Sequence, residues 1–117
     1  MIDKTFAEHF AEEWIAAWND HDLDRILEHY SDDFEMNSPV IISVCQLASG
    51  VLKGKAAVAA YWRTALNLYP NLHFELISTL LGVDSICLYY QGVRSLAAEV
   101  FHFNESGKVV RAYAHYQ

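Results

Sequence analysis

One carboxylate stands inside an apolar run, Leu96-Ala97-Ala98-Glu99-Val100-Phe101. Withdrawing a carboxyl from water disfavours its charged form, so such a glutamate carries a raised pKa and can act as acid or base near neutrality. Glu99 is therefore the sharpest candidate for chemistry in the chain. The competing reading is a rim glutamate that faces water or pairs with Arg94 or Arg111, and strand parity decides between the two. Six histidines, His9, His21, His29, His73, His102 and His115, are spread over every segment, and only His73 with Glu75 and His102 with Glu99 come close in sequence. None has a metal-binding spacing such as His-Glu-x-x-His, so no metal is expected. His102 and His115 are the least ordinary, because they fall in the last strand-like segments. On a regular strand His102 points away from the face of Glu99, which argues against a dyad unless a bulge intervenes.

Two further patterns carry no chemistry. The run Gly50-Val51-Leu52-Lys53-Gly54-Lys55-Ala56 has one residue too few between its glycines for a phosphate loop and lacks a Ser or Thr after the lysine, so neither a nucleotide nor another cofactor is expected. Cys45 and Cys87 lie far apart with no Cys-x-x-Cys spacing, which signals neither zinc nor a disulfide framework and suits a reduced, cytoplasmic chain. A net charge of -7 repels nucleic acid and anionic membrane surfaces, and both are set aside as partners. The N-terminus lacks a basic segment followed by an apolar core, and no apolar run approaches the roughly 20 residues of a membrane span.

These residues must be held by elements that the periodicity makes visible. Phe6, Phe10, Ala11, Trp14, Ile15, Ala17 and Trp18 recur at three- and four-residue intervals, with Glu8, Glu12 and Glu13 off the stripe, which predicts an amphipathic helix. Asp22 is placed to cap a short second helix with Leu23, Ile26, Leu27 and Tyr30 on its apolar face, ended by Ser31-Asp32-Asp33. Phe34 to Ser38 alternates like a strand that Pro39 stops. Val40 to Ala48 is almost wholly apolar, and its length and period decide neither helix nor strand. It is either a lid or an interface patch. A third helix follows Gly54-Lys55, carried by Val58, Tyr61, Trp62, Ala65, Leu66 and Tyr69 and ended by Pro70. Leu72 to Tyr116 reads as four strands with breaks at Gly82-Val83-Asp84, Gln91-Gly92 and Asn104 to Gly107. Three helices followed by a mostly antiparallel sheet make an α+β chain of one domain over residues 1–117.

The order of these pieces resembles the nuclear transport factor 2-like superfamily, in particular its SnoaL-like and ketosteroid-isomerase-like branch. The carriers are Trp18-Asn19-Asp20-His21-Asp22-Leu23, Tyr30-Ser31-Asp32-Asp33-Phe34, Gly54-Lys55, Tyr61-Trp62 and Phe103-Asn104-Glu105-Ser106-Gly107-Lys108-Val109-Val110. The resemblance covers nearly the whole chain and implies a cone-shaped α+β barrel, with the helices packed in the concave face of a strongly curved sheet. It fixes no activity, since the superfamily holds isomerases, cyclases, dehydratases, hydrolases and non-catalytic assembly modules. It also implies a pocket lined by Trp14, Trp18, Tyr30, Phe34, Met36, Ser38 and Tyr61, with Ala97, Glu99, Phe101, Ala112 and Ala114 on the sheet side. The alanines would leave room for a ligand.

Matched position by position, the resemblance speaks against a steroid isomerase. The oxyanion-binding tyrosine of those enzymes falls at Trp14. Their general-base aspartate, just before a proline, falls at Ser38, and a lone serine cannot shuttle a proton at neutral pH. Their third polar group, a neutral carboxylic acid, falls at Glu99, where the chemical type is kept.

Hydrophobic residues make up 53% of the 117, a surplus that a cavity or an interface must absorb. Leu96, Ala98 and Val100 are apolar on one face of their strand while Ala97, Phe101 and Phe103 are apolar on the other. An antiparallel sheet with one wet face alternates more cleanly, so the outer face is expected to be covered by a second copy in a two-fold, sheet-to-sheet dimer. Three functions follow: an enzyme using Glu99 as acid or base on a small apolar molecule, of isomerase, cyclase or dehydratase type; a non-catalytic carrier or sensor with the same pocket; or a dimeric assembly module whose pocket its own side chains fill.

Overall fold

The computed structural model describes residues 2–117. Helix α1 (Lys4–Asn19) starts at Asp3, whose carboxylate accepts the Phe6 N–H at 2.8 Å, and it buries Ala7, Phe10, Ala11, Trp14, Ala17 and Trp18 at the spacing of one helix face. Helix α2 (Leu23–Leu27) is capped by Asp22, which accepts the Arg25 N–H at 3.2 Å. The Arg25 guanidinium then reaches back to Glu13 at 3.0 Å and Asp20 at 2.6 Å, binding α2 to α1. Replacing Asp22 by Ala leaves that bridge but strips the cap, and should lower the unfolding free energy by about 1 kcal/mol in a urea titration.

Strand β1 (Tyr30–Asn37) begins earlier than its sequence suggests. Tyr30 opens this strand rather than closing α2, and the polar run Ser31-Asp32-Asp33 lies within it. The register of β1 against the last strand shifts between Tyr30 and Glu35, and that irregular stretch tolerates exposed polar side chains. Pro39 both ends β1 and opens a short helix, α3 (Pro39–Cys45), with Ser38 as its cap. The apolar segment that periodicity leaves undecided is thus mainly helical, and it lies beside the third predicted helix.

After strand β2 (Val51–Lys53) comes helix α4 (Lys55–Leu68), which buries Val58, Tyr61 and Trp62. Strands β3 (Glu75–Leu81), β4 (Ser85–Gln91), β5 (Leu96–Phe103) and β6 (Val109–Tyr116) complete a six-stranded sheet of order β2-β1-β6-β5-β4-β3. Every neighbouring pair is antiparallel except β1 with β6. The helices cover one face of this curved sheet, and the result is the expected α+β cone.

Alternation along β5 is regular, with Ala97, Glu99, Phe101 and Phe103 buried against the helices. The opposite face is mixed, but one apolar row crosses four strands from exposed Leu80 through half-buried Cys87, Val100 and Tyr113. Among the described residues, no helix is long and apolar enough to cross a membrane.

Candidate functional site

The Trp18-Asn19-Asp20-His21 turn has a positional role that its sequence alone conceals. Asn19 clamps the backbone of Phe74, donating to its carbonyl at 3.0 Å and accepting its N–H at 2.7 Å. The His21 imidazole bonds the Leu72 carbonyl at 2.9 Å. The end of α1 therefore holds the segment before β3 in place, and Leu72 and Phe74 become walls of a cavity of about 440 Å³.

The other walls come from every layer. Trp14 and Trp18 enter from α1, Met36 from β1, Val40 and Val44 from α3, Tyr61, Trp62 and Ala65 from α4, and Tyr90, Glu99 and Tyr116 from the sheet. Aromatic edges meet faces at the base: Trp14 packs 5.3 Å from Tyr90, and Trp18 packs 5.4 Å from Trp62. Burial grades from these residues outward to an exposed rim at Pro39, Ser43, Val93 and Arg94.

Glu99 lies on the buried wall, 4% exposed, and accepts a hydrogen bond from the Tyr90 hydroxyl at 3.2 Å. Among the described residues no lysine, arginine or histidine pairs with it, so the rim reading with Arg94 or Arg111 does not hold. Desolvation dominates and pushes its pKa up to about 7, with the Tyr90 hydrogen bond opposing weakly. Burial also raises Tyr30, Tyr61, Tyr90 and Tyr116, and Glu99 raises each of them further. The carboxyl is thus in the neighbourhood of neutral phenols and has no compensating cation among the described residues.

Five of the residues named from sequence, Trp14, Trp18, Met36, Tyr61 and Glu99, meet on the cavity surface. Tyr30, Phe34, Ser38, Ala97, Phe101, Ala112 and Ala114 are all buried but lie one layer behind it. Indoles cover the aromatic ones: Tyr30 and Phe34 sit 4.9 and 5.7 Å from Trp62, and Phe101 sits 5.3 Å from Trp14. The space beside the alanines goes to cross-strand neighbours rather than to a ligand, with Tyr90 and Tyr116 flanking Ala97 and Met36 opposite Ala112. The Ser38 hydroxyl accepts the Val40 N–H at 3.1 Å and also hydrogen-bonds the Tyr61 and Tyr116 side chains.

Trp14 likewise donates its indole N–H to the Tyr30 hydroxyl at 3.0 Å, which withholds that donor from a ligand. The Trp18 indole N–H is buried without an acceptor among the described residues. His102 packs edge-on against Tyr113 at 5.8 Å on the far side of the sheet, apart from Glu99.

Tyr90 is the partner that sequence reasoning missed. Its signal was present in the register: counting back from the Gly92 turn places Tyr90 opposite Ala97 and diagonal to Glu99 on the same face. Among the described residues, no three His, Cys, Asp or Glu side chains converge in a way that could hold a metal ion.

The model of the SnoaL-like domain matches residues 11–112. A SnoaL-like protein of unknown function from Burkholderia thailandensis is 55% identical, with 99% of this chain and 98% of that one covered and a TM-score of 0.96. A proposed isomerase of the SnoaL-like family from Agrobacterium tumefaciens shares 15% identity over 97% of this chain and 98% of its own, with a TM-score of 0.77. A proposed hydroxylase from Streptomyces galilaeus shares 21% over 98% and 91%, with a TM-score of 0.75. At such identities the last two speak for the fold alone. No curated protein gives a significant match.

Proposed function

The chain belongs to the family of SnoaL-like domains, and from that premise we propose that it binds a small, largely apolar molecule above Glu99 and moves a proton on it. The observation that carries this reading is a buried carboxyl, without a cation, at the base of an aromatic cavity of about 440 Å³. A pKa of about 7 lets Glu99 donate in its acid form and abstract in its carboxylate form at neutral pH. Tyr90 holds one carboxyl oxygen, leaving the other for substrate. Isomerisation, cyclisation and dehydration all proceed through such transfers. The steroid-isomerase version is disfavoured, since the position of its base is a serine committed to capping α3.

A non-catalytic carrier or sensor is the second reading, favoured by the loss of Trp14 as a free donor. An open cavity speaks against a self-filled assembly module. The apolar outer row through Leu80, Cys87, Val100 and Tyr113 supports a second copy of the chain packed sheet to sheet. Free thiols at Cys45 and Cys87 suit a reducing, cytoplasmic setting.

The binding reading is tested with N-phenylnaphthylamine, a neutral fluorophore of two linked aromatic units. It should bind saturably at one site per chain, and Ala65→Trp, which fills the cavity from α4, should abolish the signal. A probe that does not bind, or binds equally to the filled variant, sinks the reading.

A further inference from the structure

The cavity carries one basic residue, and it is placed at the rim. Arg94 lies in the turn between β4 and β5, exposed, with its guanidinium carbon 5.7 Å from the centroid of the Tyr69 ring. Among the described residues, no other lysine or arginine lines the cavity. The chain holds fifteen Asp and Glu against eight Lys and Arg, so basic groups have abundant local partners. Lys4, Arg25, Lys53 and Lys55 take them, whereas Arg63, Arg94 and Arg111 make no ion pair or side-chain hydrogen bond among the described residues, and of these three only Arg94 lines the cavity and lies over an aromatic ring. Stacking on a tyrosine face restrains a guanidinium and leaves its N–H edge free, an arrangement that suits a planar anion.

We propose, resting on the ligand-binding reading above, that Arg94 selects ligands bearing an acidic head group on an apolar body. The head group, a carboxylate, sulfonate or phosphate, pairs with Arg94 at the rim while the body lies among the indoles. Glu99 is three strand residues inward from Leu96, about 10 Å at the rise of a strand. A molecule that meets both ends has its acidic group outward and its reacting atom inward. The polarity matters, because an acidic group inward would meet the Glu99 carboxyl at the buried end of the cavity, where no lysine, arginine or histidine stands beside it among the described residues.

Anilinonaphthalenesulfonate and N-phenylnaphthylamine share one aromatic body and differ by the sulfonate. Arg94→Gln should weaken the sulfonate probe roughly fivefold to tenfold and change the neutral probe less than about twofold. Arg63→Gln, which removes an exposed charge of α4 outside the cavity, should change neither. Equal effects of Arg94→Gln on both probes, no effect on either, or sulfonate binding that survives Ala65→Trp overturns the assignment of Arg94. Saturable binding of the neutral probe in the same titrations shows that the cavity reading survives that failure. Absence of neutral-probe binding removes the cavity reading, and the role of Arg94 with it.

Discussion

Glu99→Gln should remove base catalysis from the protein, with a loss of roughly 100-fold or more in the rate of a reaction that needs only a base in an apolar pocket. Ring opening of nitrobenzisoxazole is such a reaction and requires no knowledge of the natural substrate. The carboxylate takes the carbon-bound proton, the released electron pair forms the nitrile, and the N–O bond breaks to leave a coloured cyanonitrophenolate. Glutamine preserves the shape of the side chain and can still accept from Tyr90, so the loss isolates basicity. The wild-type rate should climb with pH through about 7 and then level, because only the ionised form of Glu99 accepts the proton. A rate that Glu99→Gln leaves unchanged, or one with no inflection in that region, would take Glu99 out of the catalytic reading. Activity that persists in Ala65→Trp would place the reaction outside the cavity.

The helical half was legible because its signals are local. The aromatic stripe of α1, the Asp22 cap and Pro70 after α4 each act within a few residues. Fold class followed from the order of elements, whereas the facing of Glu99 stayed open in the sequence, because β5 is apolar on both faces and only the observed register turns Glu99 inward. The site was legible only in part, because its walls are set by side-chain volume across strands. Ala97 is small so that Tyr90 and Tyr116 can approach, which no single-strand pattern reveals. The clamp of Asn19 on Phe74 spans 55 residues and leaves no local trace. Pro39 illustrates the remaining ambiguity: a proline that stops a strand is also well suited to start a helix.

The second large effect of Glu99→Gln falls on stability, in the opposite sense to activity. Below about pH 4.5 the carboxyl is protonated both folded and unfolded, and burial costs it no charge. Between about 4.5 and about 7 the unfolded chain releases this proton while the folded chain keeps it, so stability falls as pH rises. Above about 7 the full penalty is present, about 3 kcal/mol for a shift of this size. Glutamine carries no such penalty. Its advantage over the wild type should therefore grow by about 2 to 3 kcal/mol between pH 5 and pH 8 in urea unfolding, with a melting temperature higher by roughly 10 °C at the upper end.

Titrations that Glu99 does not influence are common to both proteins and cancel in that difference. The phenols of Tyr30, Tyr61, Tyr90 and Tyr116 stay neutral throughout, because burial and Glu99 hold them above their usual range. A difference that does not vary with pH would show that Glu99 is not held in its acid form, and the proton-transfer reading would lose its physical basis. A difference that grows as expected means the chain keeps a destabilising acid where glutamine would fold better, the signature of a residue retained for what it does rather than for what it holds together.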